Sequence, residues 1–368
     1  MRERTGDGQD IMRFDRRTFV TGAMSVPLVL EAQETRAADP PWMILAGQGS
    51  GPAGRWGHTL IADAGRNRLL LIGGRDEDGI ARGDFWTFDL ATLTWAEHNL
   101  TGPRSRFGSA SAIASDGSGF YYYGGESRDS LLDDLWWFDF AETAWEPIEI
   151  EGDAPSARSE TRGAIDGFGR FVISHGGNGD ALFDDTWAYD PATRAWTDIS
   201  PPADDRPLGR RDHDLVALPD YGLILLTGGC SDPMGPCPHG DLWAYDTTSA
   251  VWIDISPAYG PSPRMGAAMT RLGNTVLLVG GATDLGPSAD VWVGSFDPGY
   301  FGWNELTQVN HGPLGIYRRT LHDMTASGNE FYVFGGRGVE GPLSDLWKFS
   351  LDRLGTRTEG GDYIEPVE

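Results

Sequence analysis

The sequence predicts an all-β fold that is built from six repeats of about fifty residues. A Gly-Gly pair recurs with steps of 51, 52, 52, 52 and 55 residues between the first glycines. Each pair ends a short apolar run of strand-forming residues, and a fixed period of this length is typical of repeat architectures. The six pairs are Gly73/Gly74, Gly124/Gly125, Gly176/Gly177, Gly228/Gly229, Gly280/Gly281 and Gly335/Gly336.

Each repeat carries the pattern of four strands. The Gly-Gly strand is followed by an Asp-x-Trp strand, then by a tight turn and a shorter strand that opens on Trp, and an Arg-led strand begins the next repeat. Four short strands per unit are the composition of a propeller blade. The Asp-x-Trp motifs begin at Asp84, Asp134, Asp185, Asp241, Asp290 and Asp345, and the later tryptophans are Trp95, Trp145, Trp196, Trp252 and Trp303.

These motifs resemble the kelch repeat, whose hallmarks are the Gly-Gly pair, a downstream Tyr-Asp or Phe-Asp and an outer-strand Trp. The resemblance covers residues 42 to about 352 and implies a six-bladed kelch-type β-propeller with four-stranded blades. The sixth repeat lacks the outer-strand tryptophan, but the segment at Trp42 matches the segment at Trp252. We therefore expect the N-terminal strand around Trp42 to complete the last blade and to leave no unpaired sheet edge.

The segment before the repeats resembles a bacterial twin-arginine export signal. Arg16 and Arg17 precede an apolar stretch, and small residues follow up to a plausible cleavage site before Ala38. We expect residues 1–37 to be the export signal, 38–352 the propeller and 353–368 an acidic C-terminal tail. The protein would then be periplasmic or secreted, and the alternative for its first residues is a weakly structured basic tail. The apolar stretch is too short and interrupted to span a membrane.

The formal net charge is −25, and Lys348 is the single lysine. Nucleic acids and anionic membrane surfaces are therefore not expected partners. We expect a monomer.

The two cysteines, Cys230 and Cys237, lie in one loop after the fourth Gly-Gly pair. An oxidising compartment favours a disulfide between them. The alternative is a metal site formed with His239 and with Asp232 or Asp241, although Cys-x6-Cys-x-His is not a standard zinc spacing.

The innermost strand of each repeat begins with an arginine, and three residues later some repeats carry a histidine. The Arg-x-x-His pattern is part of the kelch consensus, so a structural role is the main alternative for Arg55 and His213, which we consider as ligand-binding candidates. The six arginines are Arg55, Arg106, Arg158, Arg210, Arg264 and Arg319.

Three repeats carry a charge one residue further along this strand, at Arg162, Asp214 and Asp323. The other three repeats have Thr59, Ala110 and Ala268 there. Charges on a buried strand are costly unless they are paired or face water. The three residues therefore either form an internal ion-pair ring or line a polar pocket at the channel.

Loops on the same rim add further candidates for a pocket. Arginine clusters suit carboxylate recognition and tryptophan suits the apolar face of a sugar. We expect a small anionic or sugar ligand, or a protein partner, to bind at the mouth of the channel. With Arg55, Arg162 and His213, the ligand-binding candidates are Trp56, Arg75, Glu126, Arg211 and Arg337.

The predicted function is a binding or interaction module without a cofactor or a bound metal. The alternative is a cofactor-independent sugar-acid epimerase similar to the bacterial sialic-acid epimerase, which is also an exported six-bladed kelch protein. Asp214, Asp323 or Glu160 would then be the catalytic acid, with its pKa raised in the channel. An open pocket with unpaired arginine and carboxylate groups favours catalysis, and a closed ion-paired channel favours the module. Motifs typical of serine hydrolases, P-loops and dinucleotide-binding folds are absent from the sequence.

Overall fold

The computed structural model describes residues 41–297, 300–306 and 316–351. It also describes two pairs of short strands near the chain ends, Arg2–Arg4 with Asp10–Met12 and Thr356–Arg357 with Tyr363–Ile364. The rest of the predicted export signal (1–37) and of the predicted acidic tail (353–368) lies outside the described residues. Both assignments therefore stay predictions.

Six four-stranded antiparallel sheets form the blades, so the predicted six-bladed propeller is confirmed. From the innermost strand outward, blade 1 consists of Trp56–Asp63, Arg68–Arg75, Phe85–Asp89 and Thr94–His98. Blade 2 consists of Ala110–Ile113, Gly119–Glu126, Leu131–Asp139 and Ala144–Ile148. Blade 3 consists of Arg162–Ile165, Phe171–Ser174, Thr186–Asp190 and Ala195–Asp198.

The second half of the ring repeats this order. Blade 4 consists of Arg211–Leu218, Leu223–Cys230, Leu242–Asp246 and Val251–Asp254. Blade 5 consists of Ala268–Leu272, Thr275–Val279, Val291–Asp297 and Tyr300–Glu305, with a small hairpin at Ala282–Thr283 and Gly286–Pro287. Blade 6 consists of Asp323–Ser327, Glu330–Phe334, Leu346–Ser350 and Trp42–Ala46. Short 3-10 turns occupy Ala64–Arg66, Ala203–Asp205 and Pro219–Tyr221.

The apolar core lies between neighbouring blades. Leu70 of blade 1 packs in one cluster with Phe138 of blade 2, and Leu225 of blade 4 packs with Leu278 of blade 5. Each of the six core clusters joins two adjacent blades in this way. Because a single blade leaves its apolar faces uncovered, the blades depend on a closed ring.

The N-terminal strand closes this ring as the sequence predicts. Trp42 pairs with Phe349 and Met43 with Lys348, on the third strand of blade 6. The Trp42 side chain is 1% exposed, and its ring centre lies 4.8 Å from that of Phe349. The first described strand of the propeller thus supplies the outer strand of its last blade.

The Gly-Gly pair is a left-handed corner at the end of each second strand. Gly73 and Gly74 have φ values of 64° and 89°, and a Cβ on Gly335 would lie 2.9 Å from the Arg55 carbonyl oxygen. In blade 3 the corresponding φ values, 60° and 94°, belong to His175 and Gly176. The corner of blade 3 therefore lies one residue before the Gly176/Gly177 pair that the sequence suggests, because a histidine occupies the first glycine position.

Antiparallel order places two kinds of loop on one face of the propeller. The loops that follow each second strand and the loops that lead into each innermost strand both lie there, and we call this the mouth face. The turns between the first two strands lie on the opposite face. Within the described residues, no helix is long and apolar enough to cross a membrane.

Candidate functional site

Each blade holds a buried arginine that pairs with the aspartate of its own Asp-x-Trp motif. In blade 6, Arg319 donates to both carboxylate oxygens of Asp345 at 3.2 and 2.9 Å, and Trp347 donates to the same carboxylate at 2.6 Å. Arg319 also donates to the Gly335 carbonyl oxygen at 2.9 Å. These contacts explain why the three motifs recur together. The other pairs are Arg55–Asp84, Arg106–Asp134, Arg158–Asp185, Arg210–Asp241 and Arg264–Asp290.

Arg55 and His213, which the sequence suggests as ligand-binding residues, are both buried within their blades. Arg55 is 1% exposed and donates to both oxygens of Asp84 at 2.7 Å. His213 is also buried, with its ring centre 5.4 Å from that of His175. Burial and the neighbouring His175 hold the pKa of His213 well below its ordinary value. A ligand at the mouth reaches neither side chain.

Two residues after each scaffold arginine, the chain contributes to a ring at the channel entrance. Backbone N–H groups donate to the carbonyl oxygen of the ring residue in the preceding blade, as from Gly108 to Gly57 at 2.8 Å. Five such links of 2.6–2.9 Å join blades 4, 5, 6, 1, 2 and 3 in that order. We call this ring the collar, and its residues are Gly57, Gly108, Glu160, Asp212, Gly266 and Leu321.

Two acidic residues occupy left-handed positions in the collar. The φ values of Glu160 and Asp212 are 56° and 54°, close to the 64° of Gly57. Such a conformation costs a residue with a side chain roughly 1–3 kcal/mol and is frequent at functional sites. Blades 3 and 4 thus place two neighbouring carboxylates at the entrance, each on a residue whose backbone is in the strained left-handed conformation.

Outside the collar, three arginines surround the entrance. The guanidinium carbon of Arg75 lies 4.2 Å from the ring centre of Phe107 and 5.4 Å from that of Trp56. The guanidinium carbon of Arg337 lies 5.4 Å from Trp56. Arg211, on blade 4, has its Nε atom 3.9 Å from Oε2 of Glu160. We call the three arginines, together with Glu126 and Glu160, the mouth site.

Glu160 lies between two of these arginines without a direct hydrogen bond to either. Its Oε1 atom is 4.0 Å from Arg75. Burial and the adjacent Asp212 raise the pKa of Glu160 to about 7, with a smaller contribution from Glu126, while Arg211 and Arg75 oppose the rise. Burial also raises the pKa of Asp212. Below about pH 7 the Glu160 carboxyl group is therefore largely protonated, and the arginine charges at the mouth are then only partly balanced.

Inside the collar, the innermost strands surround a channel cavity of about 230 Å³. Its lining begins one residue beyond the collar, at His58, and extends to Arg271 near the opposite face. Arg162 lies in this wall, and its Nε atom is 3.9 Å from Oδ1 of Asp214. That distance is too long for a hydrogen bond.

Asp214 and Asp323 connect neighbouring blades. Asp323 accepts a backbone N–H from Leu60 of blade 1 at 2.7 Å, and Asp214 accepts the N–H of Met269 of blade 5. Each also accepts the N–H of the residue that follows it. Burial raises the pKa of Asp214 to about 7 and that of Asp323 to about 6, although Arg162 opposes both shifts.

The collar therefore divides the predicted site into two. Trp56, Arg75, Glu126, Arg211 and Arg337 lie outside it, whereas Arg162, Asp214 and Asp323 lie inside. Of the three candidates for a catalytic acid, Glu160 belongs to the collar, whereas Asp214 and Asp323 lie in the channel with their oxygens accepting backbone N–H groups. The channel is also not a simple ion-pair ring, since Arg162 makes no close ion pair with either aspartate.

The predicted disulfide between Cys230 and Cys237 is confirmed, with a Cα–Cα distance of 4.3 Å. The alternative metal site is not formed: within the described part of the chain, no cluster of His, Cys, Asp and Glu side chains is suited to hold a metal ion. His239 instead contacts Ser231, with its Nε2 atom 2.6 Å from the hydroxyl oxygen. Ser231, His239 and Asp241 lie next to one another, as the members of a serine-hydrolase triad do. Ser231 is buried, however, and donates to the Gly209 carbonyl oxygen, so it is not an accessible nucleophile.

Several known proteins are similar to this chain. Kelch domain-containing protein 3 of Homo sapiens is 28% identical over 283 residues, which are 72% of this chain and 68% of the human protein. Acyl-CoA-binding domain-containing protein 4 of Arabidopsis thaliana is 33% identical over 212 residues, 56% of this chain and 30% of the plant protein. N-(sulfonatooxy)prop-2-enimidothioate sulfolyase of Thlaspi arvense is 28% identical over 157 residues, 42% of this chain and 43% of that enzyme.

The family comparison covers the whole propeller. The model of the KLHDC2/KLHL20/DRC7 Kelch-repeats domain matches residues 35–229 and 204–354. These ranges contain all six blades and the closing strand at Trp42. The chain therefore belongs to the kelch-repeat family.

Proposed function

We propose that this propeller is a protein-interaction module whose mouth site binds an acidic segment of a protein partner. Its similarity to kelch domain proteins supports an interaction role without identifying the partner. The carboxylate specificity is inferred from the chemistry of the mouth. Guanidinium groups recognise carboxylates through paired, charge-assisted hydrogen bonds.

The observation that carries the proposal is the difference between two sets of arginines. The scaffold arginines use their guanidinium donors within the blade, as Arg319 does on Asp345 and Gly335. Among the described residues, the guanidinium groups of Arg75, Arg211 and Arg337 donate no hydrogen bond to a protein acceptor. Aromatic rings hold Arg75 and Arg337 in position at the rim. These arginines are thus oriented but free to bind.

The mouth face also carries exposed apolar residues on its loops. Leu285 is 95% exposed, Met234 84% and Val339 78%. Apolar loop tips around a polar centre suit a partner surface that covers the rim and inserts an acidic group at the centre. The exposed large apolar residues of these loops are Ile80, Leu208, Met234, Tyr259, Leu285, Tyr317 and Val339.

A peptide-display selection on the purified protein tests the proposal. The binding of selected peptides is then measured for each peptide and for its analogue in which Asp and Glu are replaced by Asn and Gln. We expect acidic peptides to be selected, the neutral analogues to bind at least tenfold more weakly, and Arg75→Ala or Arg337→Ala to cause a similar loss. A selection without acidic peptides, or neutral analogues that bind equally well, would contradict the proposal.

The matched control is Arg66→Ala. Arg66 is also a surface arginine, but it lies in a turn on the opposite face and contacts Asp63 at 3.5 Å. It changes the net charge by the same amount as the mouth variants. An equal loss of binding in Arg66→Ala would show that only the overall charge matters.

A second candidate function, a cofactor-independent sugar-acid epimerase, is favoured by one observation. Glu160 has a pKa raised to about 7 by burial and by Asp212, which suits proton transfer near neutral pH, and it lies within 4.0 Å of arginines that could bind a substrate carboxylate. Exchange between the two anomers of a sialic acid, followed by NMR, tests this candidate. Catalysed exchange that is lost in Glu160→Gln would support it, and exchange at the uncatalysed rate would exclude this substrate.

We also propose that the protein is exported to the periplasm or beyond. The Arg16-Arg17 pair ahead of an apolar stretch and the cysteines placed to pair in one loop support this proposal. Fusion of residues 1–37 to a reporter protein tests it. Export that persists after both arginines are replaced by lysine would contradict the twin-arginine route.

A further inference from the structure

We propose that the channel inside the collar contains a second, separate site, at which Arg162 binds a small carboxylate. This site differs from the mouth site in its residues and in its position. The collar separates the two, since the cavity lining begins at His58, one residue beyond Gly57. The proposal therefore does not depend on a protein partner at the mouth.

The groups around Arg162 leave its guanidinium donors without a hydrogen-bond acceptor among the described residues. The guanidinium group of Arg162 donates no hydrogen bond to any residue that the structure describes, and its Nε atom lies 3.9 Å from Asp214. Both oxygens of Asp214 accept backbone N–H groups, and so do both oxygens of Asp323. The two aspartates thus stabilise the contacts between blades, while the planar donor face of Arg162 remains free.

Arg162 occupies a strand position at which three other blades carry small residues. The equivalent residue is Thr59 in blade 1, Ala110 in blade 2 and Ala268 in blade 5. The fold therefore accepts small, uncharged residues at this position. Arg162 has 20% of its side chain exposed, and its one ion-pair partner among the described residues, Asp214, lies at 3.9 Å, beyond hydrogen-bond distance.

The cavity indicates the size and type of the ligand. A volume of about 230 Å³ corresponds to roughly seven water molecules at ~30 Å³ each, which is enough for a carboxylate of about two to four carbons. The lining is mixed, since polar residues such as Ser111 and Thr325 share it with apolar residues such as Leu60. A short carboxylic acid fits this volume and the guanidinium group of Arg162.

Nearby negative charges do not prevent the binding of an anion. Burial raises the pKa of Asp214 to about 7 and that of Asp323 to about 6. Both groups therefore retain protons at mildly acidic pH, and the charge of Arg162 is then incompletely balanced. The bound carboxylate would supply the missing counter-charge and accept two parallel hydrogen bonds.

Calorimetric titration of the folded protein with succinate and with acetate, at pH 5.5 in a buffer low in chloride, tests the proposal. We expect one acid to bind per chain and Arg162→Ala to weaken the binding about 10- to 100-fold. Arg162→Lys should give an intermediate loss, because it keeps the charge but not the planar pair of donors. If Arg162→Ala does not fold, Arg162→Lys decides the question alone.

Arg75→Ala is the matched control, since it removes one arginine from the mouth site and none from the channel. It should leave the binding of the small acid unchanged, whereas it weakens the binding of acidic peptides. No binding of either acid to the wild-type protein at millimolar concentration would overturn the proposal. Equal affinity in wild type and Arg162→Lys, or a loss in Arg75→Ala equal to that in Arg162→Ala, would also overturn it.

Discussion

Arg75 and Glu160 face each other at 4.0 Å across the channel mouth, although they come from blades 1 and 3. The distance joins one guanidinium nitrogen to a carboxylate oxygen without a direct hydrogen bond. Glu160 also lies 3.9 Å from Arg211. The glutamate thus occupies the position that the carboxylate of a ligand would take between the two arginines.

Binding of an acidic peptide at the mouth should weaken as the pH rises. Below the Glu160 pKa of about 7 the glutamate is protonated and leaves Arg75 and Arg211 free, and above it the ionised glutamate competes with the ligand. We expect the dissociation constant to increase several-fold from pH 6 to pH 8, measured by fluorescence anisotropy. Glu160→Gln should remove most of this dependence, and an unchanged dependence in the variant would contradict the role of Glu160.

The free energy of unfolding should decrease as the pH rises from about 4 to about 7. Burial raises the folded-state pKa of Asp214 to about 7 and that of Asp323 to about 6, above the ordinary value of about 3.9 for an unfolded aspartate. Between these values the folded chain binds more protons than the unfolded chain, so a rising pH favours unfolding. We expect the melting temperature to be higher at pH 5 than at pH 7.5. Asp214→Asn should reduce this difference, whereas the exposed control Asp153→Asn should not.

The scaffold pairs set the acid limit of stability. Burial opposes the ionisation of Asp185, but the hydrogen bonds and charge of Arg158 outweigh it and lower the pKa of Asp185. Stability from such pairs is present above the unfolded-state pKa and is lost as the pH falls through the folded-state pKa. Together with the channel carboxylates, this places the maximum of stability at mildly acidic pH.

Loss of a scaffold carboxylate should destabilise the fold in proportion to its burial. Neither side chain of the Arg319–Asp345 pair is exposed, whereas Asp134, the partner of Arg106, is 39% exposed. Asp345→Asn should cost about 3–5 kcal/mol, because it leaves a buried guanidinium without its counter-charge. Asp134→Asn should cost less than half as much, since water reaches that pair. Urea denaturation measures both values, and equal costs would contradict this explanation.

Removal of the closing strand should destabilise the whole ring. Deletion of residues 38–48 removes the buried Trp42 and leaves blade 6 with three strands and an exposed edge. We expect the melting temperature to fall by more than ten degrees, as measured by circular dichroism. Deletion of residues 1–37 is the control and should leave the melting temperature unchanged. A truncated protein that melts within a degree or two of the intact one would contradict closure by this strand.

The sequence predicts the fold well because every repeat must meet the same physical requirements. Left-handed corners need glycine, and a buried strand needs an apolar run, so both recur with the period of the blade. The pairing of the Arg-led strand with the Asp-x-Trp motif could also have been found. Each of the other five repeats has an arginine and an aspartate equivalent to Arg319 and Asp345. Two opposite charges that recur together in every repeat indicate a repeated ion pair. His175 misled the alignment of blade 3 because it adopts a glycine conformation.

The division of the site into two could not be predicted from the sequence. It depends on backbone hydrogen bonds between blades, and the sequence does not show which backbone groups pair with each other. The sequence identifies Glu160 as a charged residue near the mouth but does not show its positive φ value or its place in the collar. Likewise, the aspartates at positions 214 and 323 are visible as unusual charges, but their backbone partners in the next blade are not.

A double-mutant cycle between Arg337 and the carboxylate of a selected peptide tests whether the mouth arginines bind the carboxylate of the partner. Four dissociation constants are measured, for wild type and Arg337→Ala, each with the acidic peptide and with its neutral amide analogue. We expect a coupling energy of about 1.5–3 kcal/mol, as for a hydrogen bond to a charged group. A coupling energy near zero at Arg337, and likewise at Arg75, would show that the mouth arginines do not bind the carboxylate.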